Sequence, residues 1–537
     1  MPDSPRETLP RASAHIVPPA SGRAVLLGLA ALTLLALALR LVNIGAQSLW
    51  EDEAASVDYA RHPVWELATR SLDPGNPPLY YLMLKGWMAL WGTSDLALRS
   101  LSVLCGVLCI PALFALARRL SGRPAVALGA AFLLAIAPRH VFFSQEIRAY
   151  VPIALLAIVS THVLLAALRT GGWWRWSLYV LLAACAPYLH FQGFLLLLAQ
   201  GVAGGAYLLA ARAPRRAWAA WAVAQAALAG LALPAFFLFF VPGFLTPHGY
   251  NYWQGKVTLS GVAEALTLFT ISEYWIAAPH WLGWDTTIFA AVVVIVGTLG
   301  PLALLWRGRG QYHRAALLVV ALTAYVGPVV FILACLTRTV WQAKYLIVFQ
   351  PLYLAVLAAG LFARPPRTPR RGRVLLASIL VLALPGLLGD LLWRWRPDYR
   401  GVARILNERN PDRHLPVQAF RFAHRAVRYY YDGPVYTETD PGDDPPNSKD
   451  AQKLLRRALL QARRHGGVFV VLSSSQASSS GELDEIEHEL GRLLTPGPRY
   501  DLHNVRLLEF GAPVGPPTTS AATTAAARQP PANQNPA

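Results

Sequence analysis

The chain is 537 residues long, 55% hydrophobic and only 15% charged. A soluble domain carries nearer a quarter charged residues, so this composition excludes an ordinary soluble enzyme and points to the bilayer. The formal net charge of +18 sits mostly as arginine in short segments between apolar runs, which is a pattern of membrane topology and not of a nucleic-acid surface.

Residues 1–23 read as a polar cytoplasmic leader. The first apolar run, Ala24–Leu39, is followed by no small-residue cleavage site, so it is expected to be retained as the first span. Runs such as Ala125–Ala137 and Val374–Leu392 follow, many of them near the roughly 20 residues that cross a hydrocarbon core. Five short segments are rich in arginine and contain no Asp or Glu: Arg118–Arg123, Arg169–Trp176, Arg212–Trp218, Arg307–Arg314 and Arg364–Arg373. Positive loops stay in the cytoplasm. Two crossings fit before the first segment and between each successive pair, and one fits after the last. The expectation is an α-helical polytopic membrane protein with about eleven transmembrane helices over 24–395, the N-terminus inside and the C-terminus outside. Every acidic residue except Asp3 and Glu7 then falls on the outer side or at its boundary. Two outer loops are long, 45–97 and 242–286, and both are rich in Trp, Tyr and acids.

After Trp395 the composition changes. Residues 396–511 hold helix-like stretches at Tyr399–Asn407 and Ala451–Arg464 and a strand-like run at Gly467–Leu472, which together read as a small extracytoplasmic α/β domain. Asp440–Asp450 looks like a surface loop. Residues 512–537, rich in Pro, Ala and Thr, read as a disordered tail. The four cysteines, Cys105, Cys109, Cys185 and Cys335, lie in apolar runs without a CxxC pair and read as buried hydrophobes.

The residues that could carry chemistry cluster outside. Trp50-Glu51-Asp52-Glu53 follows the first span closely, and three acids near the interface cost desolvation energy unless something uses them. They suit a general base; a solvated acid cluster is the plainer alternative. Asn76-Pro77-Pro78 then fixes an extended entry to an apolar, aromatic helix, Leu79–Trp91, that is short for a span and suits the membrane surface. Tyr81 and Lys85 lie on it. Lys85 could meet a lipid phosphate or simply snorkel. Ser144-Gln145-Glu146-Ile147-Arg148-Ala149-Tyr150 lies on the same side as Asp52. If helical, it puts Gln145 with Arg148 on one face and Glu146 with Tyr150 on another. Lys344-Tyr345 stands at another outer span entrance, where a cation can bind an anionic headgroup. His190 also faces outward, and a lone histidine is more often structural. Arg40, near the outer end of the first span, reads as a snorkelling cation.

In order, these segments are an Asp-Glu pair after the first span, Pro-Pro-Leu-Tyr-Tyr, then Gly92 with Arg99-Ser100-Leu101-Ser102, then Ser-Gln-Glu-x-Arg-x-Tyr. The succession resembles bacterial members of glycosyltransferase family 39, relatives of the protein O-mannosyltransferases and of the enzyme that adds aminoarabinose to lipid A. The resemblance covers roughly residues 25–360 and is strongest over 40–155. It implies a GT-C fold in the bacterial cytoplasmic membrane. The donor would be a polyprenyl-phosphate sugar and the acceptor a protein, lipid or glycan on the outer side, with no nucleic acid involved. Residue by residue, Asp52 matches the catalytic aspartate and Glu53 its neighbouring acid. Asn76 replaces the histidine that relatives often carry before Pro-Pro, and Lys344 stands where arginine is usual.

With that donor the leaving group is already in place. The protein must deprotonate the acceptor, a task for Asp52, and stabilise charge on the phosphate, a task for Lys85, Arg148 and Lys344 with Tyr345 beside them. Attack from the face opposite the phosphate inverts the anomeric centre. Asn76, Pro77, Pro78, Tyr81, Gln145, Glu146 and Tyr150 would shape the site. The acids leave room for a divalent metal on Asp52 and Glu53. No Gly-rich phosphate loop is present. A transporter or flippase would share the many spans, but it places ionisable groups at mid-membrane and commonly shows repeats; neither is visible here.

Overall fold

The computed structural model describes residues 22–69, 76–244, 257–270, 314–337, 341–362, 368–392, 395–437, 450–474 and 481–514, with scattered positions between 288 and 302. Most of the leader, of loop 242–286, of the surface loop 440–450 and of the tail 512–537 lies outside the described residues. The chain forms two compact units. One comprises residues 1–42, 63–92 and 97–392; the other comprises 43–62, 93–96 and 393–537. The sequence reading placed 43–62 in the transmembrane domain, whereas by contact it groups with the C-terminal residues.

The first unit is helical. Eight helices among the described residues are long and apolar enough to cross a membrane: Gly22–Leu41, Asp95–Ser121, Tyr150–Thr170, Gln192–Ala210, Arg215–Phe240, Ala315–Leu336, Ala343–Phe362 and Pro369–Leu392. A bent pair, Pro124–Ala135 meeting Pro138–Ser144 at 60°, makes a ninth candidate crossing if the two helices are one broken span. Two further crossings were expected. One falls on Trp173–Leu189, where a 12-residue helix ends at Cys185 before the single turn Ala186–Leu189. The other falls on 287–306, where only scattered positions are described.

The break has a local cause. Pro138 has no N–H, so the Leu134 carbonyl loses its regular helical donor. That carbonyl keeps a long turn bond from Ala137 N–H at 3.4 Å, and Arg40 adds a second donor. Its guanidinium is fully buried and donates to the carbonyls of Leu134 at 3.4 Å, Ala135 at 3.3 Å and Ala36 at 3.0 Å. It also reaches Ser144 Oγ at 3.1 Å and His140 Nδ1 at 2.8 Å. Because arginine only donates, that His140 nitrogen accepts. Arg40 therefore does not snorkel: it pins the first span to both arms of the broken one. Gly106 makes room for the pin, since a Cβ there would stand 2.3 Å from Ser144 Oγ and 2.9 Å from Arg40 Nε.

The second unit is a three-layer α/β fold. Its five strands are β1 (Val417–Ala419), β2 (Val435–Thr437), β3 (Val468–Ser473), β4 (Leu494–Leu502) and β5 (Val505–Pro513). They lie in the order β2-β1-β3-β5-β4, with β1, β2 and β3 parallel and β4 and β5 joining as an antiparallel hairpin. Alternation along β3 sorts its side chains between two cores. Val468, Val470 and Leu472 face Leu454, Ala458, Leu483 and Leu490 from the helices Asp450–His465 and Glu482–Leu493. Phe469 and Val471 face Tyr399, Val402, Leu406 and Val427 from the helices Tyr399–Arg409 and Ala423–Tyr430. That second core also contains Ala54, from the acidic helix Glu51–Arg61.

Gly106→Ala is expected to destabilise the protein by about 1–3 kcal/mol, the usual cost of forcing a methyl into a filled site. Gly86→Ala, with nothing within 4 Å of the added Cβ, is expected to be neutral or stabilising. Thermal unfolding of the purified variants in lipid measures both, and equal midpoints would contradict the packing at Gly106.

Candidate active site

The acids occupy the first turn of the helix Glu51–Arg61, where the positive end of the helix dipole favours carboxylates by roughly 0.3–1 kcal/mol each. Successive helical residues point about 100° apart, so three in a row cannot share one environment. Glu51 is 2% exposed and Glu53 is fully buried, whereas Asp52 remains partly accessible. Glu51 Oε1 accepts hydrogen bonds from the Tyr399 hydroxyl and, at 3.4 Å, from Ser473 Oγ on β3. Glu53 forms a salt bridge to Arg396 at 3.2 Å, with side-chain exposures of 0% and 5%. Its other task is local: Trp50 N–H donates to Glu53 Oε2 at 3.4 Å. The Asp52 carbonyl accepts from Ser56 Oγ at 2.9 Å.

More bonds tie this segment to the C-terminal fold. Arg425 donates to Tyr59 Oη at 2.9 Å, and Trp50 packs edge-on against Trp395 with ring centres 5.5 Å apart. Arg400 reaches the carbonyls of Gly45 and Gln47, each at 2.7 Å, and Asp95 at 2.8 Å. Tyr430 donates to Asp95 at 2.5 Å and accepts from Leu49 N–H at 2.8 Å. Burial and the Asp95 charge push the Tyr430 hydroxyl up, so it keeps its proton and serves as donor. Sequence reasoning missed Arg396, Tyr399 and Ser473 because nothing local marks residues more than 340 positions away as partners of an acid cluster.

In the other unit, residues Gln145–Ala149 are not helical. They form an irregular turn between Ser144 and Tyr150, so the expected pairing of faces does not occur. The turn is latched at its first two residues. Gln145 Nε2 donates to the carbonyls of Arg40 at 3.0 Å and Val42 at 2.8 Å, capping the first span. Ser102 Oγ donates to the Glu146 carbonyl at 2.5 Å. Glu146 is 1% exposed, and Arg148 is half-buried.

Arg148 meets Lys344 around aromatic rings. The Arg148 guanidinium lies 5.9 Å from the centre of Tyr150, and Lys344 Nζ lies 5.9 Å from Tyr150 and 6.0 Å from Tyr345. His190 completes the group, its ring 5.5 Å from Tyr150, 5.7 Å from Tyr345 and 4.4 Å from Phe191. Burial first, then Arg148 and Lys344, push the His190 imidazole down to about 3, so it is neutral. Lys85, half-buried, rides on the helix Leu79–Trp91, which packs against Ala186–Leu189 just ahead of His190. Asn76 is half-buried; Pro77, Pro78 and Tyr81 are buried at the entry to that helix. Arg148, Tyr150, Lys344 and Tyr345 thus form one cationic, aromatic cluster that suits an anionic headgroup.

Among the described residues no three His, Cys, Asp or Glu side chains converge to hold a metal ion. Glu53, one of the two ligands expected for a metal, is engaged with Arg396. Among the described residues the acid turn therefore lacks the ligand set that a metal ion takes up.

Residues 75–240 match the dolichyl-phosphate-mannose-protein mannosyltransferase family. No curated protein matches the sequence. Solved structures do match in fold. ArnT from Cupriavidus metallidurans bound to undecaprenyl phosphate aligns with a TM-score of 0.58 at 14% identity, covering 91% of this chain and 98% of ArnT. Its apo form gives 0.56 at 16% identity, covering 90% and 97%. The apo oligosaccharyltransferase of Archaeoglobus fulgidus gives 0.54 at 13% identity, covering 89% of this chain and 74% of that one. The chain thus shares its fold with ArnT along 91% of its own length, and residues 75–240 within the helical unit carry the similarity to the mannosyltransferase family.

Proposed function

We propose that the protein transfers a sugar from a polyprenyl-phosphate donor to a hydroxyl acceptor on the outer side of the bacterial cytoplasmic membrane, with inversion and with Asp52 as general base. The N-terminus would then lie inside and the α/β unit outside. The observation that carries the reading is the division of labour among three consecutive acids. Glu51 and Glu53 are buried against Tyr399, Ser473 and Arg396, while Asp52, between them on the same turn, is only partly buried. The fold shared with ArnT, a protein solved with undecaprenyl phosphate, supports a lipid donor.

In the reaction the acceptor oxygen attacks the anomeric carbon. Its proton passes to Asp52, and the bond from that carbon to the phosphate oxygen breaks. The electron pair leaves on the phosphate, giving polyprenyl phosphate. Lys344 and Arg148, with Lys85 on the neighbouring helix, stabilise that developing charge. Tyr150 and Tyr345 fix the cations in place, and Gln145 and Glu146 hold the turn that carries Arg148. Asn76, Pro77, Pro78 and Tyr81 set the start of the helix that bears Lys85. Glu53 acts through Arg396 as the positioning acid for Asp52.

Two experiments test this. Asp52→Asn preserves shape and removes the base, so transfer of label from a panel of radiolabelled polyprenyl-phosphate sugars to envelope extract should fall by about 10²–10⁴-fold without loss of folding. Wild-type transfer by that variant, or sugar crossing the membrane with no transfer by wild type, would refute the reading. Glu53→Gln strands a buried arginine and should cost about 3 kcal/mol of stability as well as activity. Adding Arg396→Met should recover most of the stability, read as a coupling term in a double-mutant cycle. Additive losses would dismiss the pair as the anchor.

A further inference from the structure

The cationic cluster contains a neutral group, His190, and a second neutral side chain, Gln192, follows it by two residues; phosphate binding uses neither. His190 is 2% exposed, and its Nδ1 accepts the Gln192 backbone N–H at 3.2 Å. A neutral imidazole bonded in that way carries its proton on Nε2, which is left as a donor. Gln192 is fully buried at the start of the 19-residue helix Gln192–Ala210, and neither polar atom of its amide has a partner among the described residues. A buried amide with both ends unmatched costs about 1–3 kcal/mol and calls for an explanation. The chain has also made room at this point. Gly193 lets the helix begin against Ala186, where a Cβ would stand 2.2 Å from the backbone.

We infer that His190 and Gln192 form a neutral subsite that hydrogen-bonds the hydroxyls of the donor's sugar ring, beside the cations that take its phosphate. The inference rests on the lipid-linked donor reading. Its chemical logic is complementarity. A phosphate offers only acceptors, so a glutamine Oε1 has nothing to accept from it. A sugar hydroxyl both donates and accepts, matching an amide that can do both and an imidazole N–H that can donate. Arg148 and Lys344 flank the same rings as His190, so a headgroup whose phosphate they hold carries its first sugar next to these groups. An acceptor glycan would offer the same hydroxyl chemistry, and the test separates the two sources.

The experiment uses the full chain in lipid nanodiscs, with Gln192→Leu and His190→Phe beside wild type. Leucine removes two unmatched polar atoms, so the thermal midpoint of Gln192→Leu should hold or rise. Phenylalanine keeps the ring packing on Tyr150, Phe191 and Tyr345. In both variants KM for the active sugar donor should rise about tenfold, the value of one good hydrogen bond. KM for the acceptor, and binding of undecaprenyl phosphate itself, should stay within twofold. An unchanged donor KM in both variants overturns the inference while leaving the transferase reading intact, as does a shift confined to the acceptor KM or a matching loss of undecaprenyl phosphate binding. Wild type that transfers from no lipid donor removes the reading and this subsite with it.

Discussion

The salt bridge between Glu53 and Arg396 is the contact on which the acid turn depends. Both groups are almost fully buried, where an ion is tolerated only when paired and hydrogen-bonded. Each therefore holds the other in place, and the helix Glu51–Arg61 cannot leave the C-terminal sheet without exposing one charge to an apolar core. The Tyr399 and Ser473 hydroxyls repeat the arrangement one residue earlier, at Glu51. Between these two anchors Asp52 is fixed in direction by its backbone. For the proposed role of Asp52 as base, such preorganisation would leave less reorganisation for the reaction itself.

The helical unit solves a different problem with the same means. A span interrupted by Pro138 would leave carbonyls unmatched in an environment without water. Among the described residues Arg40 donates to three carbonyls, a hydroxyl and an imidazole and to no carboxylate, so its positive charge is spread over neutral acceptors. The bend it stabilises ends in the turn Gln145–Ala149, and Gln145 returns the favour by capping the helix that carries Arg40. A charge within an otherwise apolar span thus serves the backbone geometry that brings Arg148 to the cluster around Tyr150.

The membrane class and most spans were legible because bilayer thickness imposes a long, uniform apolar signal, and arginine placement marks the ends. The broken span was less so: Pro138 signals a break, but its angle is set by Arg40, whose own sequence context is that of an ordinary interfacial cation. The order of motifs located the parts of the candidate site, and their local shapes were harder. Gln145–Arg148 has helix-compatible spacing, yet the side chain of Gln145 is taken by a partner 105 residues away and the backbone of Glu146 by one 44 residues away, which period counting does not see. The grouping of residues 43–62 with the C-terminal fold was invisible for the same reason. Glu51, Asp52 and Glu53 are equivalent as letters, and only burial against Tyr399 and Arg396 distinguishes them.

That grouping also sets a timetable. The acid turn leaves the ribosome early, while Arg396, Tyr399 and Ser473 follow about 340 to 420 residues later. At roughly 5–20 residues per second this is an interval of tens of seconds. During it the acids have none of these three partners, and their burial has no compensating charge. The turn that carries Asp52 therefore reaches its final form only after the C-terminal sheet exists, by which point the spans before it have been made. Completion of the acid turn is a late event in the life of the chain, and an unfinished or truncated copy would have its membrane helices without the partners that hold Glu51 and Glu53.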